Sequence, residues 1–243
     1  MNGDDLMDGG SAMEPKQVVC LQGISKVFHS AGQDFTALKD ICIEIHSGEF
    51  VCVLGRSGSG KSTLMNMITG IDKPTAGEVV VHGVSVGGMS EDEMARWRGR
   101  NLGIVFQFYQ LLPVLSLLEN VMLPMQIAGN YEPLERERRA RSLLAQVGLA
   151  DQAGQRPDAV SGGEQQCAAV ARALANDPPI IVADEPTGNL DSVSAGKVFE
   201  VFATLAQQGK TIIMVTHDDE LASQADRILR LSDGELERDT NGS

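Results

Sequence analysis

Residues 55–62 have the composition and spacing of a phosphate-binding loop. They read Gly-Arg-Ser-Gly-Ser-Gly-Lys-Ser and match the pattern G-x-x-x-x-G-K-S/T at every fixed position. Such a loop lets backbone N–H groups surround phosphate oxygens, while Lys61 would reach the β- and γ-phosphates and the Ser62 hydroxyl would hold Mg²⁺. The nucleotide contacts are therefore predicted to come from Gly55, Arg56, Ser57, Gly58, Ser59, Gly60, Lys61, Ser62 and Thr63.

A second candidate site consists of the adjacent carboxylates Asp184 and Glu185, which follow the apolar residues 180–183. An Asp-Glu pair alone is a weak signal, because charged residues are mostly exposed on protein surfaces. In a chain with a phosphate-binding loop, however, a carboxylate that ends a buried strand can hold Mg²⁺ through its water shell, which is the role expected of Asp184. Glu185 would then face the γ-phosphate and orient the attacking water as a general base.

These residues need a scaffold that brings strand ends together. Short apolar runs predict strands at residues 50–54, 102–106, 180–183 and 211–215. Helical spacing and end signals predict helices at residues 62–69, 163–176 and 192–208. Strands that alternate with helices predict an α/β protein with a mostly parallel sheet, as in P-loop NTPases, joined by right-handed crossovers.

Two additions to this parallel core are predicted. Residues 18–50 and 77–86 are rich in β-forming residues and predict a small antiparallel layer near the nucleotide base. Residues 133–147 have amphipathic helical spacing, with Leu134 and Leu144 among the residues expected to face inward, and predict an inserted helical lobe. On the outer face of that helix, i,i+4 spacing predicts the ion pairs Glu135–Arg139 and Glu137–Arg141.

The charge balance limits the partners that the chain can have. Its net charge is −13, with 20 Lys and Arg against 33 Asp and Glu. This balance argues against a protein that works on nucleic acid or on anionic lipid. Much of the negative charge lies at the ends of the chain. We expect residues 1–17 to form a disordered acidic tail and residues 238–243 to form a short second tail.

Neither a secretion signal nor a membrane span is predicted. Residues 1–14 lack a basic start followed by an apolar stretch. The most membrane-like window, residues 111–128, is interrupted by Pro113, Glu119, Asn120 and Pro124. The four cysteines lack metal-binding spacing and are expected to be reduced, buried thiols. We therefore expect a cytosolic chain that does not insert into a membrane and reaches one only through a partner.

Further segments resemble the motifs of ATP-binding-cassette (ABC) ATPases. In chain order they are Gln107, residues 161–165 (Ser-Gly-Gly-Glu-Gln), residues 189–191 (Asn-Leu-Asp) and residues 216–218 (Thr-His-Asp). Many nucleotide-binding proteins have a phosphate-binding loop, but this ordered series is specific to that family. The resemblance covers residues 18 to about 237 and implies a helical subdomain inserted at about residues 107–172 of the ATPase domain.

The resemblance implies a role for each segment. The first residues of the 161–165 segment would cap the γ-phosphate of an ATP bound to a second copy, in a head-to-tail dimer. Gln107 would contact the nucleotide and Mg²⁺, and His217 would stabilise charge on the γ-phosphate. Asp191 would couple the two sites, and Phe28 would either stack on adenine or be an ordinary core residue. The capping residues are Ser161, Gly162, Gly163 and Glu164.

Three longer segments of the sequence resemble those of the lipoprotein-release and macrolide-export group of these ATPases. The segments concerned are residues 106–113, 119–121 and 183–192. This resemblance implies an ATPase subunit at the cytoplasmic face of the inner or plasma membrane that drives membrane permease subunits. Residues 111–124, with the Gln107 loop, would then dock against the permease, or would form the core of the helical lobe, or both.

Two residues depart from the family pattern. Glu164 stands where glutamine is most common, and Cys167 stands where the family usually has arginine. The second change removes a charge and several hydrogen-bond donors that a thiol cannot replace. Because Cys167 lies close to a predicted helix N-terminus, we expect its thiol to have a lowered pKa and to be reactive.

Two other functions remain open from the sequence. One is a soluble ABC ATPase of translation or DNA maintenance, which the acidic charge and the single cassette disfavour. The other is a regulatory cassette of low activity, which Cys167 suggests. The presence of both Glu185 and His217 argues against that second alternative.

Overall fold

A computed structural model describes residues 16–30 and 32–241. In chain order the elements are β1 (Gln17–Ser30), β2 (Gln33–His46), β3 (Phe50–Leu54), α1 (Lys61–Thr69), β4 (Ala76–Val81), β5 (Val84–Ser85), α2 (Glu91–Asn101), β6 (Leu102–Val105), α3 (Leu117–Ala128), α4 (Pro133–Gln146), α5 (Gly162–Ala173), β7 (Ile180–Asp184), α6 (Ser192–Gln207), β8 (Thr211–Thr216), α7 (Asp219–Ala222), β9 (Arg227–Ser232) and β10 (Glu235–Asn241). Most of the expected N-terminal tail, residues 1–15, lies outside the described residues, whereas Gln17 begins β1.

The strands form two sheets. The main sheet has the order β10-β9-β3-β8-β7-β6, and the strands from β9 to β6 pair in parallel. The smaller sheet has the order β2-β1-β4-β5, and its strands pair antiparallel. Both predicted layers are therefore confirmed. Because parallel strands end at the same edge, β3, β7 and β8 deliver the segments that follow them to one place.

The main sheet is buried on both faces, as the side chains of β3 show. Phe50, Cys52 and Leu54 belong to a core that also contains residues of α3, α4, α5 and α6. Val51 and Val53 belong to a second core, formed with α1, α2 and the smaller sheet. A strand covered on both faces needs apolar residues at every position, which explains the unbroken apolar run before the phosphate-binding loop.

The predicted helix of the lobe is present as α4, but Leu134 is misplaced in the prediction. Leu143 and Leu144 are buried, whereas Leu134 is 74% exposed. The buried residues of α4 begin at Ala140, so the first turn of the helix lies beyond the packed part. Amphipathic spacing alone does not show where along a helix the packing begins.

One of the two ion pairs predicted on α4 is wrong. Arg141 Nη2 lies 2.7 Å from Glu137 Oε1, which confirms that pair. Arg139 does not pair with Glu135, because its Nε donates instead to the carbonyl oxygen of Ala175 at 2.7 Å. An arginine that binds carbonyl groups just beyond the end of a helix satisfies acceptors that would otherwise lack partners, and this outcompetes an exposed ion pair.

The sequence analysis missed α2 at residues 91–101 and the C-terminal strands. The signal for α2 is a capping box, in which the Ser90 N–H donates to Glu93 Oε2 at 2.9 Å and the Glu93 N–H donates to Ser90 Oγ. The prediction of a tail at residues 238–243 is wrong for residues 238–241, because these residues belong to β10, which pairs with β9. Residues 242 and 243 lie outside the described residues. Arg227 on β9 joins the two strands through a bidentate contact with Asp239.

Asn120 on α3 organises the loop that precedes this helix. Its side chain is fully buried. Its Oδ1 accepts from the Leu112 N–H at 2.7 Å, and its Nδ2 donates to the carbonyl oxygens of Leu112, Leu115 and Ser116. Asn120 therefore fixes residues 112–116, part of the segment that the family resemblance gives to permease docking.

We expect Asn120→Ala to lower the free energy of unfolding by about 2–4 kcal/mol, because it removes from a fully buried position a side chain that makes four hydrogen bonds to the backbone of residues 112–116. Asn101→Ala is the control, since Asn101 makes one such bond, to the carbonyl oxygen of Trp97, and should cost less than about 1 kcal/mol. Urea denaturation of both variants provides the measurement. Equal losses for the two would contradict the role of Asn120.

Candidate functional site

The phosphate-binding loop joins β3 to α1, as predicted. Gly58 and Gly60 have φ values of 82° and 102°, a region that residues with side chains rarely adopt. A Cβ atom at Gly60 would also lie 2.5 Å from the carbonyl oxygen of Ala37. Gly60 is the N-cap of α1 and supplies no side-chain hydrogen bond, so the backbone N–H groups of the first turn are available to an anion.

Lys61 places a cation at the centre of this loop. Its side chain is 5% exposed, and its Nζ donates to the carbonyl oxygens of Gly55 at 2.7 Å and Arg56 at 3.0 Å. The same Nζ lies 3.6 Å from Glu185 Oε1. A cavity of about 220 Å³ opens at the loop and is lined by Phe35, Ala37, Ser57, Gly58, Gly60, Lys61, Ser62, Thr63 and Glu185.

Ser62 and Asp184 offer oxygen ligands of the type that Mg²⁺ prefers. Ser62 Oγ donates to Asp184 Oδ1 at 3.4 Å. Burial raises the pKa of Asp184, and the charge of Glu185 raises it further, while Ser62 and Lys61 oppose this shift. A bound cation would favour the ionised form, so the pair fits Mg²⁺. In the described part of the chain no group of three or more His, Cys, Asp or Glu residues could hold a metal ion.

Glu185 and His217 meet at the ends of β7 and β8. Glu185 has a φ of 44°, and its N–H donates to the carbonyl oxygen of Val215 at 2.9 Å. His217 Nδ1 lies 3.2 Å from Glu185 Oε2. Because an ionised carboxylate only accepts hydrogen bonds, this contact requires the proton on Nδ1. The structure thus brings the predicted base and the predicted histidine together.

Gln107 approaches the same carboxylate across Gly188. A Cβ atom at Gly188 would lie 3.1 Å from Gln107 Nε2 and 3.4 Å from Glu185 Oε2. The Asn189 amide donates to the carbonyl oxygen of Gln107 at 3.4 Å. Gly188 therefore leaves the space in which Gln107 and Glu185 lie near each other, and a side chain at this position would crowd Gln107.

The segment at residues 161–164 starts α5 and lies apart from the loop. Ser161 is the N-cap, and Glu164 Oε2 accepts from the Ser161 N–H at 2.8 Å and from its hydroxyl at 2.7 Å. These two hydrogen bonds lower the pKa of Glu164. Ser161, Gly163 and Glu164 line a cavity of about 440 Å³ that shares no lining residue with the loop cavity. The two glycine-rich sites do not meet within one chain.

Asp191 and Phe28 lie in places that the sequence did not reveal. Asp191 is the N-cap of α6, accepting from the N–H groups of Val193 and Ser194, and its hydrogen bonds with Ser194 lower its pKa. Phe28 is partly exposed on β1, directly opposite Phe35 on β2. It is Phe35, which the sequence analysis did not select, that lines the loop cavity.

Comparison with known proteins identifies the family. A family model described as "ABC transporter" matches residues 38–188. The chain belongs to the ABC transporter family. The resemblance drawn from the motifs and the α/β fold class are both confirmed.

Several relatives match over nearly the whole chain. An uncharacterized ABC transporter ATP-binding protein of Thermotoga maritima is 45% identical over 222 residues, which cover 91% of this chain and 94% of that protein. The macrolide export ATP-binding/permease protein MacB of Wolinella succinogenes is 43% identical over 91% of this chain, which spans 34% of MacB. A dimeric, post-hydrolysis structure of the ATP-binding cassette MJ0796 bound to ADP and Pi matches with a TM-score of 0.86 and 41% identity, over 93% of this chain and 99% of that one.

Two residues of α5 that the sequence analysis passed over hold the Gln107 loop in place. Gln166 is fully buried, and its Nε2 donates to the carbonyl oxygen of Phe106 at 3.1 Å. Arg172 donates to the carbonyl oxygens of Tyr109, at 2.8 Å, and Gln110, and burial lowers the pKa of its guanidinium group. The sequence signal that could have revealed Gln166 and Arg172 is their position as polar side chains among the alanine and valine residues of α5.

Both expectations for the cysteines need correction. Cys42 is exposed, so the four thiols are not all buried. Cys167 is buried beside the 440 Å³ cavity, and its pKa is raised to about 11 rather than lowered. Burial is the main cause, Glu164 adds to it, and Lys197 opposes it. For Cys167 the loss of solvation outweighs any lowering of the pKa by the nearby helix N-terminus.

We therefore expect iodoacetamide to modify Cys42 faster than Cys167 in the folded chain at about pH 8, because the thiolate is the reactive form. The rate at Cys167 should still rise as the pH is raised toward its pKa of about 11. Peptide mass spectrometry after timed quenching measures both rates. Unfolding in urea is the control and should bring them together. Equal rates in the folded chain would contradict this assignment.

Proposed function

We propose that this chain is the ATP-hydrolysing, nucleotide-binding subunit of an ABC transporter. One observation carries the proposal. Lys61 Nζ lies 3.6 Å from Glu185 Oε1, which places the phosphate-binding cation beside the proposed base. Glu185 in turn lies 3.2 Å from His217, and Asp184 lies 3.4 Å from Ser62. These residues come from distant parts of the sequence, and together they offer phosphate binding, metal binding and base catalysis at one edge of the sheet.

Each side chain has a distinct task in the hydrolysis of ATP to ADP and phosphate. The loop N–H groups and Lys61 bind the β- and γ-phosphates. Glu185 accepts a hydrogen bond from the attacking water and holds it in line with the γ-phosphate. His217 stabilises the charge that builds up on the γ-phosphate oxygens. Ser62 and Asp184, with Gln107 as a third predicted ligand, would hold Mg²⁺, which would neutralise charge on the phosphates.

The cassette acts as a head-to-tail dimer. The support for this part of the proposal is that residues 161–164 form a helix N-terminus suited to an anion, yet line a cavity separate from the loop cavity of the same chain. A second copy places this segment over the first copy's ATP. The similar cassette MJ0796 has been solved as a dimer. Asp191 couples the sites by fixing the start of α6, whose Ser194 side chain lies 3.0 Å from the position of a Cβ atom on Gly163.

The membrane partner docks in a groove between α2 and α3. This groove has a volume of about 470 Å³ and is lined mainly by apolar residues that include Leu123, Pro124 and Ile127. Ile127 is 79% exposed, and Arg96 and Arg100 lie on the α2 side. Such an exposed apolar groove fits a short helix of a permease subunit. Among the described helices, none is long and apolar enough to cross a bilayer.

In this proposal the chain lies at the cytoplasmic face of the membrane and is held there through the permease. The two alternative functions fit less well. A role on nucleic acid would need a basic surface, which a net charge of −13 opposes. A low-activity regulatory cassette would not need the contact between Glu185 and His217, which the described geometry retains.

We expect Glu185→Gln to lower steady-state ATPase activity roughly 10²- to 10⁴-fold, because the amide keeps the shape of the side chain but cannot act as a base. The variant should accumulate as an ATP-bound dimer on size-exclusion chromatography. Glu200→Gln, an exposed change on α6, is the matched control and should behave like the parent chain. Parental turnover by Glu185→Gln would assign the base to another group.

Docking can be tested by placing a photo-crosslinking residue at position 127 or at position 134. Ile127 and Leu134 are similarly exposed on neighbouring helices, but only Ile127 lines the groove. In native membranes we expect position 127 to cross-link to an integral membrane protein and position 134 to give little product. Equal cross-linking at both positions, or products with soluble proteins alone, would contradict this docking surface.

A further inference from the structure

The backbone of residues 106–110 is held by side chains of helix α5. Gln166 Nε2 donates to the carbonyl oxygen of Phe106 at 3.1 Å, and Arg172 Nη2 donates to that of Tyr109 at 2.8 Å. Both donors belong to α5. Because two backbone carbonyl groups of a short segment are bound to one helix, the direction in which the Tyr109 side chain leaves the backbone is fixed relative to that helix.

The side chain of Tyr109 reaches the first turn of the same helix. A Cβ atom at Gly162 would lie 2.6 Å from the hydroxyl oxygen of Tyr109 and 3.6 Å from its ring atom Cζ. The first distance is too short for two atoms that are not bonded, whereas the second is ordinary van der Waals contact. Tyr109 therefore has its carbonyl oxygen bound near the end of α5 and its hydroxyl group packed against the start of it.

The two glycines at the start of α5 pack against different residues. Leu190 Cδ2 would lie 3.5 Å from a Cβ atom at Gly162, so this position touches both Tyr109 and the segment at residues 189–191. At Gly163 the three nearest atoms all belong to Ser194, at 3.0 to 3.8 Å. A methyl group at position 162 would therefore crowd Tyr109, and a methyl group at position 163 would crowd Ser194 instead.

We propose that Tyr109 is a positioning residue for the segment at residues 161–163. Its side chain holds the start of α5 where this segment can meet the nucleotide of a second copy. The inference rests on the proposed head-to-tail dimer. Tyr109 does not line the loop cavity, so its effect falls on the formation of the dimer and leaves nucleotide binding by a single chain unchanged.

The test uses the full chain carrying Glu185→Gln, with dimer formation in Mg-ATP followed by analytical ultracentrifugation. Adding Gly162→Ala should displace the Tyr109 hydroxyl and raise the Kd of the dimer roughly 5- to 150-fold, the range expected for crowding a packed position. Tyr109→Phe in the same chain removes the hydroxyl and leaves Cζ at 3.6 Å, so it should restore most of the dimer. Tyr109→Ala without the glycine change should weaken the dimer by a similar factor, because the start of α5 loses its support.

Gly163→Ala is the matched control. It crowds Ser194, so Tyr109→Phe should not relieve its effect on the dimer. The Kd for Mg-ADP, measured by isothermal titration, should be the same in all of these variants, which also shows that each one is folded.

Three results would overturn the role of Tyr109. They are parental dimer formation by Gly162→Ala or by Tyr109→Ala, failure of Tyr109→Phe to relieve Gly162→Ala more than Gly163→Ala, and a loss of ADP affinity that accompanies the loss of dimer. If the chain with Glu185→Gln alone formed no dimer in Mg-ATP, the proposed dimer itself would be wrong.

Discussion

The ammonium group of Lys61 is the charge around which the site is built. A cation that is 5% exposed must be paired, because an isolated buried charge costs many kcal/mol. The carbonyl oxygens of Gly55 and Arg56 provide two partners, and the Glu185 carboxylate lies within ion-pair distance. The bend of the loop brings those carbonyl oxygens to Nζ, and the end of β7 brings the carboxylate. The glycines at positions 58 and 60 serve this bend as well as the phosphate.

Sheet register extends this constraint to the other proposed catalytic residues. Asp184 is paired with Val215 on β8, and the N–H of Glu185 donates to the carbonyl oxygen of the same residue. A shift of β8 by one residue would turn every side chain to the opposite face and separate His217 from Glu185. The positive φ of Glu185 is a strained conformation that this register maintains. Core packing on both sheet faces therefore determines the geometry of a site at the edge.

Local patterns in the sequence predicted the parts of the site that depend on local structure. The loop at residues 55–63 and the carboxylates at the end of β7 follow from a strand and the residues next to it. Phe35 could not be found in this way, because its place depends on how the hairpin lies over the loop. For Cys167 the sequence predicted the wrong direction of the pKa shift, since it shows the nearby helix N-terminus but not the burial. Leu134 was misplaced because periodicity does not reveal where packing along a helix starts.

Helix α5 connects the two proposed interfaces of the molecule. Its N-terminus carries Ser161 at the segment proposed to meet the second copy's ATP. Near the C-terminus of α5, Arg172 donates a hydrogen bond to the carbonyl oxygen of Tyr109 in the Gln107 loop. Asn176, just beyond the end of the helix, lines the α2–α3 groove. Twelve residues of α-helix span about 18 Å, so one continuous helix separates these two ends. The start of α5 also approaches the Gln107 loop, because a Cβ atom at Gly162 would lie 2.6 Å from the hydroxyl oxygen of Tyr109. The helix proposed to contact the nucleotide of a second copy therefore also holds the loop beside the groove.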